Sequence, residues 1–268
     1  MPGMLDGRTA FVTGSNSGIG FAIAEALAGE GARIAVHGLC SDEDAARAVE
    51  AMREAGAPDA RFFPGDLRDP EAIDTLMAAV ADWGAVDVLV NNAGMQKTVT
   101  VAEADRATWD AVIAVNLSAA FHTMRHALPG MAERGFGRVI NIASVHGLVA
   151  STAKAPYVSS KFGLIGLSKV AALEYAAAGT RESGAVTVNC LCPGWVETAL
   201  IEPQIGARAE KHGGDRAAGV RDLLSEKQPS LRMADPSDIG ALALFLCSKA
   251  AHNITGAALP VDGGWTAQ

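Results

Sequence analysis

The chain has 268 residues, of which 49% are hydrophobic, 5% aromatic and 19% charged. That balance excludes a disordered chain, which is poor in apolar residues and rich in charge, and four cysteines are too few for a disulfide scaffold. The net charge of −8, from 22 basic and 30 acidic residues with no basic run, excludes a surface that tracks nucleic-acid phosphates and favours solubility.

Strand-like and helical patterns alternate along the whole chain. Residues 9–13 are short, apolar and β-branched, and end in a glycine cluster. Residues 19–29 read as a helix with Ile19, Ile23, Ala26 and Leu27 on one face. A strand at 33–37 precedes a helix at 41–54 that Ser41 or Asp42 opens as cap. Then follow strand 61–64, helix 69–83, strand 86–90, helix 108–126, strand 137–142, helix 157–177, strand 186–191, helix 239–247 and a closing strand at 257–260. Strands separated by helices of about ten or more residues imply βαβ units. The runs VDVLV and VTVNCLC are continuous rather than alternating, as strands buried on both faces are. The expected fold is α/β, a doubly wound parallel sheet of Rossmann type with helices on both faces, in one domain over 1–268. Residues 197–232 break the pattern with more charge and with Pro203, Gly206, Gly213, Gly214 and Pro229. This stretch is too long for a plain connector and is expected to be a partly helical substrate lid. Residues 179–184 read as an exposed loop.

Cys40, Cys190, Cys192 and Cys247 are dispersed and fit reduced core cysteines of a cytoplasmic protein, with no metal site. The first strand begins too early for a signal peptide, and no apolar run reaches the ~18 residues of a membrane span.

Thr13-Gly14-Ser15-Asn16-Ser17-Gly18-Ile19-Gly20 stands between the first strand and the first helix. Glycines there permit a tight turn and let backbone N–H groups approach a pyrophosphate at a helix N-terminus. Gly14, Ser15, Ser17, Gly18, Ile19 and Gly20 are therefore candidate dinucleotide contacts. After the second strand an acid would favour NAD and an arginine NADP, but the chain has His37-Gly38-Leu39. With no Lys or Arg in the glycine loop either, the expected cofactor is NAD. Asp66 and Leu67 follow the third strand, where Asp66 could accept from an adenine amino group or cap a helix. Asn92 and Gly94 end the fourth strand, where ligands of open α/β sheets gather.

Tyr157 and Lys161 are four residues apart on one predicted helix and face the same way. A phenol with an ordinary pKa of about 10 is a poor base near neutrality, and a neighbouring cation lowers that value. Ser144 ends the preceding strand. Lys154 and His146 lie close to these residues in sequence and could bind a carboxylate by charge-assisted hydrogen bonds.

In this order the motifs resemble the short-chain dehydrogenase/reductase family. They are T-G-x-x-x-G-x-G at 13–20, N-N-A-G at 91–94, Asn116, Ser144, Tyr157, Lys161 and Pro193-Gly194. The resemblance implies a catalytic tetrad in which Tyr157 moves the proton and Ser144 bonds the substrate oxygen. Lys161 would lower the tyrosine pKa and bind the nicotinamide ribose, and Asn116 would hold a relay water. Pro193 and Val196 would contact the cofactor, and Thr198 would hold its carboxamide. Within the family, stretches 92–96, 141–152, 193–196, 226–231 and 261–265 are similar to members acting on D-3-hydroxybutyrate. That implies Gln96, His146, Lys154 and Gln204 on the substrate carboxylate, with Trp195 and Trp265 around its apolar part. The implied activity is NAD-dependent, reversible oxidation of D-3-hydroxybutyrate to acetoacetate by a homotetramer, with a small molecule as its partner and neither nucleic acid nor membrane. Another β-hydroxy acid or a neutral secondary alcohol is the alternative substrate; a silent NAD-binding regulator is the alternative of a different class. The 179–184 stretch looks longer than usual for the family.

Overall fold

The computed structural model describes residues 3–267. In chain order the elements are β1 (Thr9–Val12), α1 (Gly18–Gly29), β2 (Arg33–Gly38), α2 (Asp42–Glu54), β3 (Ala60–Pro64), α3 (Pro70–Trp83) and β4 (Val86–Asn91). They continue with α4 (Arg106–Ile113), a π-helical turn (Ala114–Ser118), α5 (Ala119–Arg134), β5 (Phe136–Ile142), α6 (Ala155–Tyr175) and β6 (Ala185–Pro193). After β6 come α7 (Glu202–Ala209), α8 (Arg216–Ser225), α9 (Pro236–Cys247) and β7 (Ala258–Val261).

The strands form one parallel sheet in the order β3-β2-β1-β4-β5-β6-β7. Every residue of β4 and every residue of β6 after Ala185 is buried, which is why the VDVLV and VTVNCLC runs carry no alternation. One face is covered by α1, α2 and α9, through Ile23, Leu27, Met52, Ile239 and Leu246. The other is covered by α3, α5 and α6, through Leu76, Met77, Val80, Met124, Leu128 and Ala171. β1 lies between β2 and β4, so the chain reverses direction across the sheet there, and a crevice opens beyond the carboxyl ends of β1 and β4.

Three helix boundaries, in two helices, differ from expectation for local reasons. The helix expected at 108–126 starts at Arg106, because the Asp105 side chain caps it by accepting from the Thr108 N–H at 2.6 Å. It then runs through the π turn and past Pro129 to Arg134, where left-handed Gly135 (φ 67°) stops it. The last helix starts at Pro236 rather than at 239, since Asp235 and Asp238 form a reciprocal cap.

Residues 197–232 contain α7 and α8, and Ile201, Ile205, Leu223 and Leu224 pack with Trp195 and Trp265 over the carboxyl end of the sheet. The 179–184 loop is exposed up to Gly184 and tied to the end of α5, Ser183 Oγ donating to the Gly135 carbonyl at 2.6 Å. Among the described residues no helix is long and apolar enough to cross a membrane.

Candidate active site

The loop after β1 is built around backbone that only glycine adopts freely: Gly14 has φ +64° and Gly18 φ +57°. It is stitched to the end of β4, where Thr13 Oγ1 accepts from the N–H groups of Asn92 and Ala93, each at 3.0 Å. The Asn92 amide donates back to the Thr13 and Gly14 carbonyls at 2.9 and 3.1 Å. Gly20 packs so closely under this amide that a Cβ would collide with Asn92 Nδ2 and the Gly14 carbonyl. Ser17 caps α1 without a side-chain hydrogen bond, so the first-turn N–H groups stay available at the positive end of the helix dipole. A Cβ on Gly18 would meet only the Thr198 side chain, at 3.6 Å and beyond, so the space above the turn is open. These features fit a pyrophosphate.

A cavity of about 830 Å³ runs from this turn across the carboxyl ends of the strands. Of the expected cofactor residues, Gly14, Ser17, Gly18, Ile19, Asp66, Leu67, Asn92, Gly94, Tyr157, Lys161, Pro193, Val196 and Thr198 line it. Ser15 and Gly20 serve the loop from behind. The Ser15 hydroxyl donates to the Val12 carbonyl at 2.8 Å and accepts from the His37 N–H at 3.0 Å.

His37 shows what stands where an acid or arginine was sought. Its Nδ1 accepts from the Gly14 N–H at 3.1 Å, so Nε2 carries the proton and donates to the Gly65 carbonyl at 3.0 Å. Burial lowers its pKa, and the neutral ring clips the glycine loop to the end of β3. Asp66 lies at the cavity rim with its carboxylate held by the Arg68 guanidinium and backbone N–H, at 2.6–3.0 Å. These bonds hold its pKa down at about 2. The cap of α3 is Asp69 instead, accepting from Glu71 at 3.0 Å.

At the other end, the α6 turn brings Tyr157 and Lys161 together, both buried. Lys161 Nζ lies 5.7 Å from the centre of the Tyr157 ring and donates to the Ile142 carbonyl at 2.7 Å. Burial pushes the lysine down to about 8. The phenol departs from expectation: burial raises its pKa, and a hydrogen bond with Ser144 offsets only part of that. Lys161 spends its ammonium on a carbonyl rather than on the phenolic oxygen, so desolvation wins. Asn116, in the π turn, accepts from the Met95 N–H at 2.9 Å and donates to the Met95 carbonyl and Ser160 Oγ at 3.0 and 3.1 Å. It lines a separate void of about 10 Å³ shared with Lys161, room for one water.

Beside Tyr157 stands a cationic, aromatic-walled end. Lys154, just before α6, is 7% exposed, and its Nζ reaches His146 Nε2 at 3.4 Å. His146 Nδ1 points to the Val149 carbonyl, also at 3.4 Å, so the pair fits a neutral imidazole accepting from the ammonium. Burial, then the neighbouring Lys154, lowers His146 to about 4. Burial, then Lys227 and Arg208, lowers Lys154 to about 8. The Trp195 and Trp265 rings lie 5.4 Å apart, with Lys154 Nζ 5.1 Å from the Trp195 ring centre. Among the described residues no carboxylate comes within ion-pairing distance of Lys154. Gln96 lines this end too. Gln204 lies on α7 outside the cavity lining, its carbonyl bonded by Arg208 at 3.2 Å.

Sequence reading missed the His37 clip, the Asp66–Arg68 pair and the Lys161 bond to the Ile142 carbonyl. The D-L-R spacing at 66–68 could have signalled the second of these. The others depend on contacts between distant segments.

A family description, short chain dehydrogenase, matches residues 8–207. A D-beta-hydroxybutyrate dehydrogenase from Cupriavidus necator is 48% identical over 99% of this chain and 100% of its own. Another, from Rhizobium meliloti, is 43% identical over 97% and 99%. Among solved structures, the L-sorbose reductase of Gluconobacter frateurii, complexed with NADPH and L-sorbose, superposes with a TM-score of 0.91 at 30% identity, covering 100% of both chains. The chain belongs to the short-chain dehydrogenase/reductase family and is an oxidoreductase whose fold binds a nicotinamide dinucleotide.

Proposed function

We propose that the protein is an NAD-dependent dehydrogenase that reversibly oxidises D-3-hydroxybutyrate to acetoacetate. The observation that carries this reading is the buried, carboxylate-free Lys154 beside His146, on the same cavity wall as Tyr157 and Ser144. A short β-keto acid carries its carboxylate two bonds from the reacting carbonyl, so it needs a cation close to the proton donor. Trp195 and Trp265 supply the apolar enclosure, and Gln96 offers a further donor. The Cupriavidus necator and Rhizobium meliloti relatives are D-beta-hydroxybutyrate dehydrogenases by name. NAD rather than NADP is supported by the adenosine end: His37 is buried and engaged, and Arg68 is committed to Asp66.

Bound there, NAD would supply the hydride acceptor for oxidation, and its reduced form the donor for the reverse. The chain does the rest. Tyr157 exchanges the proton with the substrate oxygen, and the Ser144 hydroxyl bonds that oxygen as its charge changes. The raised tyrosine pKa keeps the phenol protonated near neutrality, ready to act as acid in acetoacetate reduction. Lys161, held near 8, passes the proton on at physiological pH, and the small void beside Asn116 extends that path. Residues 197–232 act as the lid over this end, and the enzyme works as a cytoplasmic homotetramer.

The test is turnover by the purified protein. With NAD and D-3-hydroxybutyrate, reduced nicotinamide should accumulate, and faster than with the L-enantiomer or with NADP. No turnover by a protein that still binds the cofactor overturns the reading.

A further inference from the structure

Lys227 follows α8 and stands outside the cavity lining, behind Trp265, with its Nζ 5.4 Å from that ring's centre. Its ammonium donates to Ser151 Oγ at 2.6 Å, across 76 residues of sequence. Ser151 lies three residues before Lys154, in a loop whose Ala153 has φ +58°. On its other side this loop is held by the Val99 N–H, which donates to the Ala153 carbonyl at 2.8 Å. Among the described residues Lys227 has no carboxylate partner, whereas nearby Arg208 is paired to Glu226 at 2.7 Å. Lys154 is buried, so a second cation beside it adds to the cost of its charge unless an anion joins them.

We infer that Lys227 is a positioning residue for the carboxylate subsite, tying the segment after α8 to the loop that carries Lys154 and adding positive field behind Trp265. This rests on the reading that the subsite takes a carboxylate. The charged and titratable groups around Lys154 are few. His146 faces it from the turn after β5, with Tyr157 of α6 against the His146 ring. Lys227 and the Glu226-paired Arg208 face it from the segment after β6. Lys97, near Val99, bonds Thr108 instead. Lys227 is thus one of two cations that depress the Lys154 pKa, and it depresses that of His146 as well.

The experiment compares Lys227→Met, Lys227→Arg and Ser151→Ala with the unaltered enzyme, using acetoacetate and a neutral ketone of similar size across neutral to alkaline pH. Lys227→Met should raise the acetoacetate KM about tenfold, with a much smaller effect on kcat. It should also move the pH at which that KM climbs upward by about half a unit, because a like charge has gone and Lys154 keeps its proton longer. Ser151→Ala should raise the KM about threefold without moving that pH, and Lys227→Arg should preserve the wild-type pH. In the substrate-free protein, the His146 ring titration followed by NMR should move upward in Lys227→Met. An unmoved KM and unmoved titrations overturn the inference, as does an equal loss for both ketones. If the unaltered enzyme shows no preference for the keto acid while His146 still responds to Lys227→Met, the carboxylate reading fails and takes the subsite role with it, leaving only the electrostatic coupling of Lys227 to His146.

Discussion

Removing the Lys154 ammonium separates carboxylate recognition from chemistry. In Lys154→Met the stem volume stays and the charge goes, leaving His146 Nε2 without its donor. The Lys154 side chain makes no capping bond to α6, so helix formation does not suffer. With a pKa of about 8, the lysine is about nine-tenths protonated at neutral pH. A charge-assisted hydrogen bond contributes about 1.5–3 kcal/mol, and Lys154 is buried enough to place this one near the upper end. About 3 kcal/mol is a loss of roughly a hundredfold in kcat/KM for acetoacetate. A neutral ketone of the same size has nothing to bond with this group and should lose no more than about threefold. Initial rates of reduced-nicotinamide consumption with both ketones give the ratio directly. Equal losses would show that Lys154 does not read the carboxylate, and the assignment of this end of the cavity would fall.

Other consequences follow from the same geometry. Tyr157→Phe keeps the ring packed 6.1 Å from His146 but removes the proton donor. Turnover should fall about 10²–10⁴-fold, while binding of reduced cofactor, read by fluorescence, stays near wild type. Because Lys154 is charged only below its lowered pKa, the acetoacetate KM should be flat below about pH 8 and climb roughly tenfold per unit above it. An ordinary lysine would hold its charge about two units further, so a flat KM up to pH 10 would refute the shift. Gly20→Ala drives a methyl group into the Asn92 amide and the Gly14 carbonyl. It should cost about 1–3 kcal/mol of stability, seen as a Tm lower by several degrees, together with weaker cofactor binding.

The alternation of apolar runs with amphipathic stretches was enough to read the parallel sheet, because strands buried on both faces cannot hide in sequence. The glycine turn was equally plain, since positive φ at Gly14 and Gly18 restricts the residue type. Boundaries slipped where side chains several residues away intervene: the Asp105 cap lengthens α4, and Gly135, rather than residue 126, ends α5. Gln204 illustrates a further limit, because motif position does not say which face of α7 meets the cavity. Residue identity and spacing therefore settled the family of chemistry, down to the phenol and lysine one helical turn apart.

The state of those groups was decided by folding. Burial raises the Tyr157 pKa against the expectation that Lys161 would lower it, because the ammonium finds the Ile142 carbonyl instead. His37 becomes a neutral clip only when β2 sets it between Gly14 and Gly65. Lys227 meets Ser151 across 76 residues. Desolvation and hydrogen-bond partnership arise between segments that the chain brings together only once the sheet is assembled, so no local pattern records them.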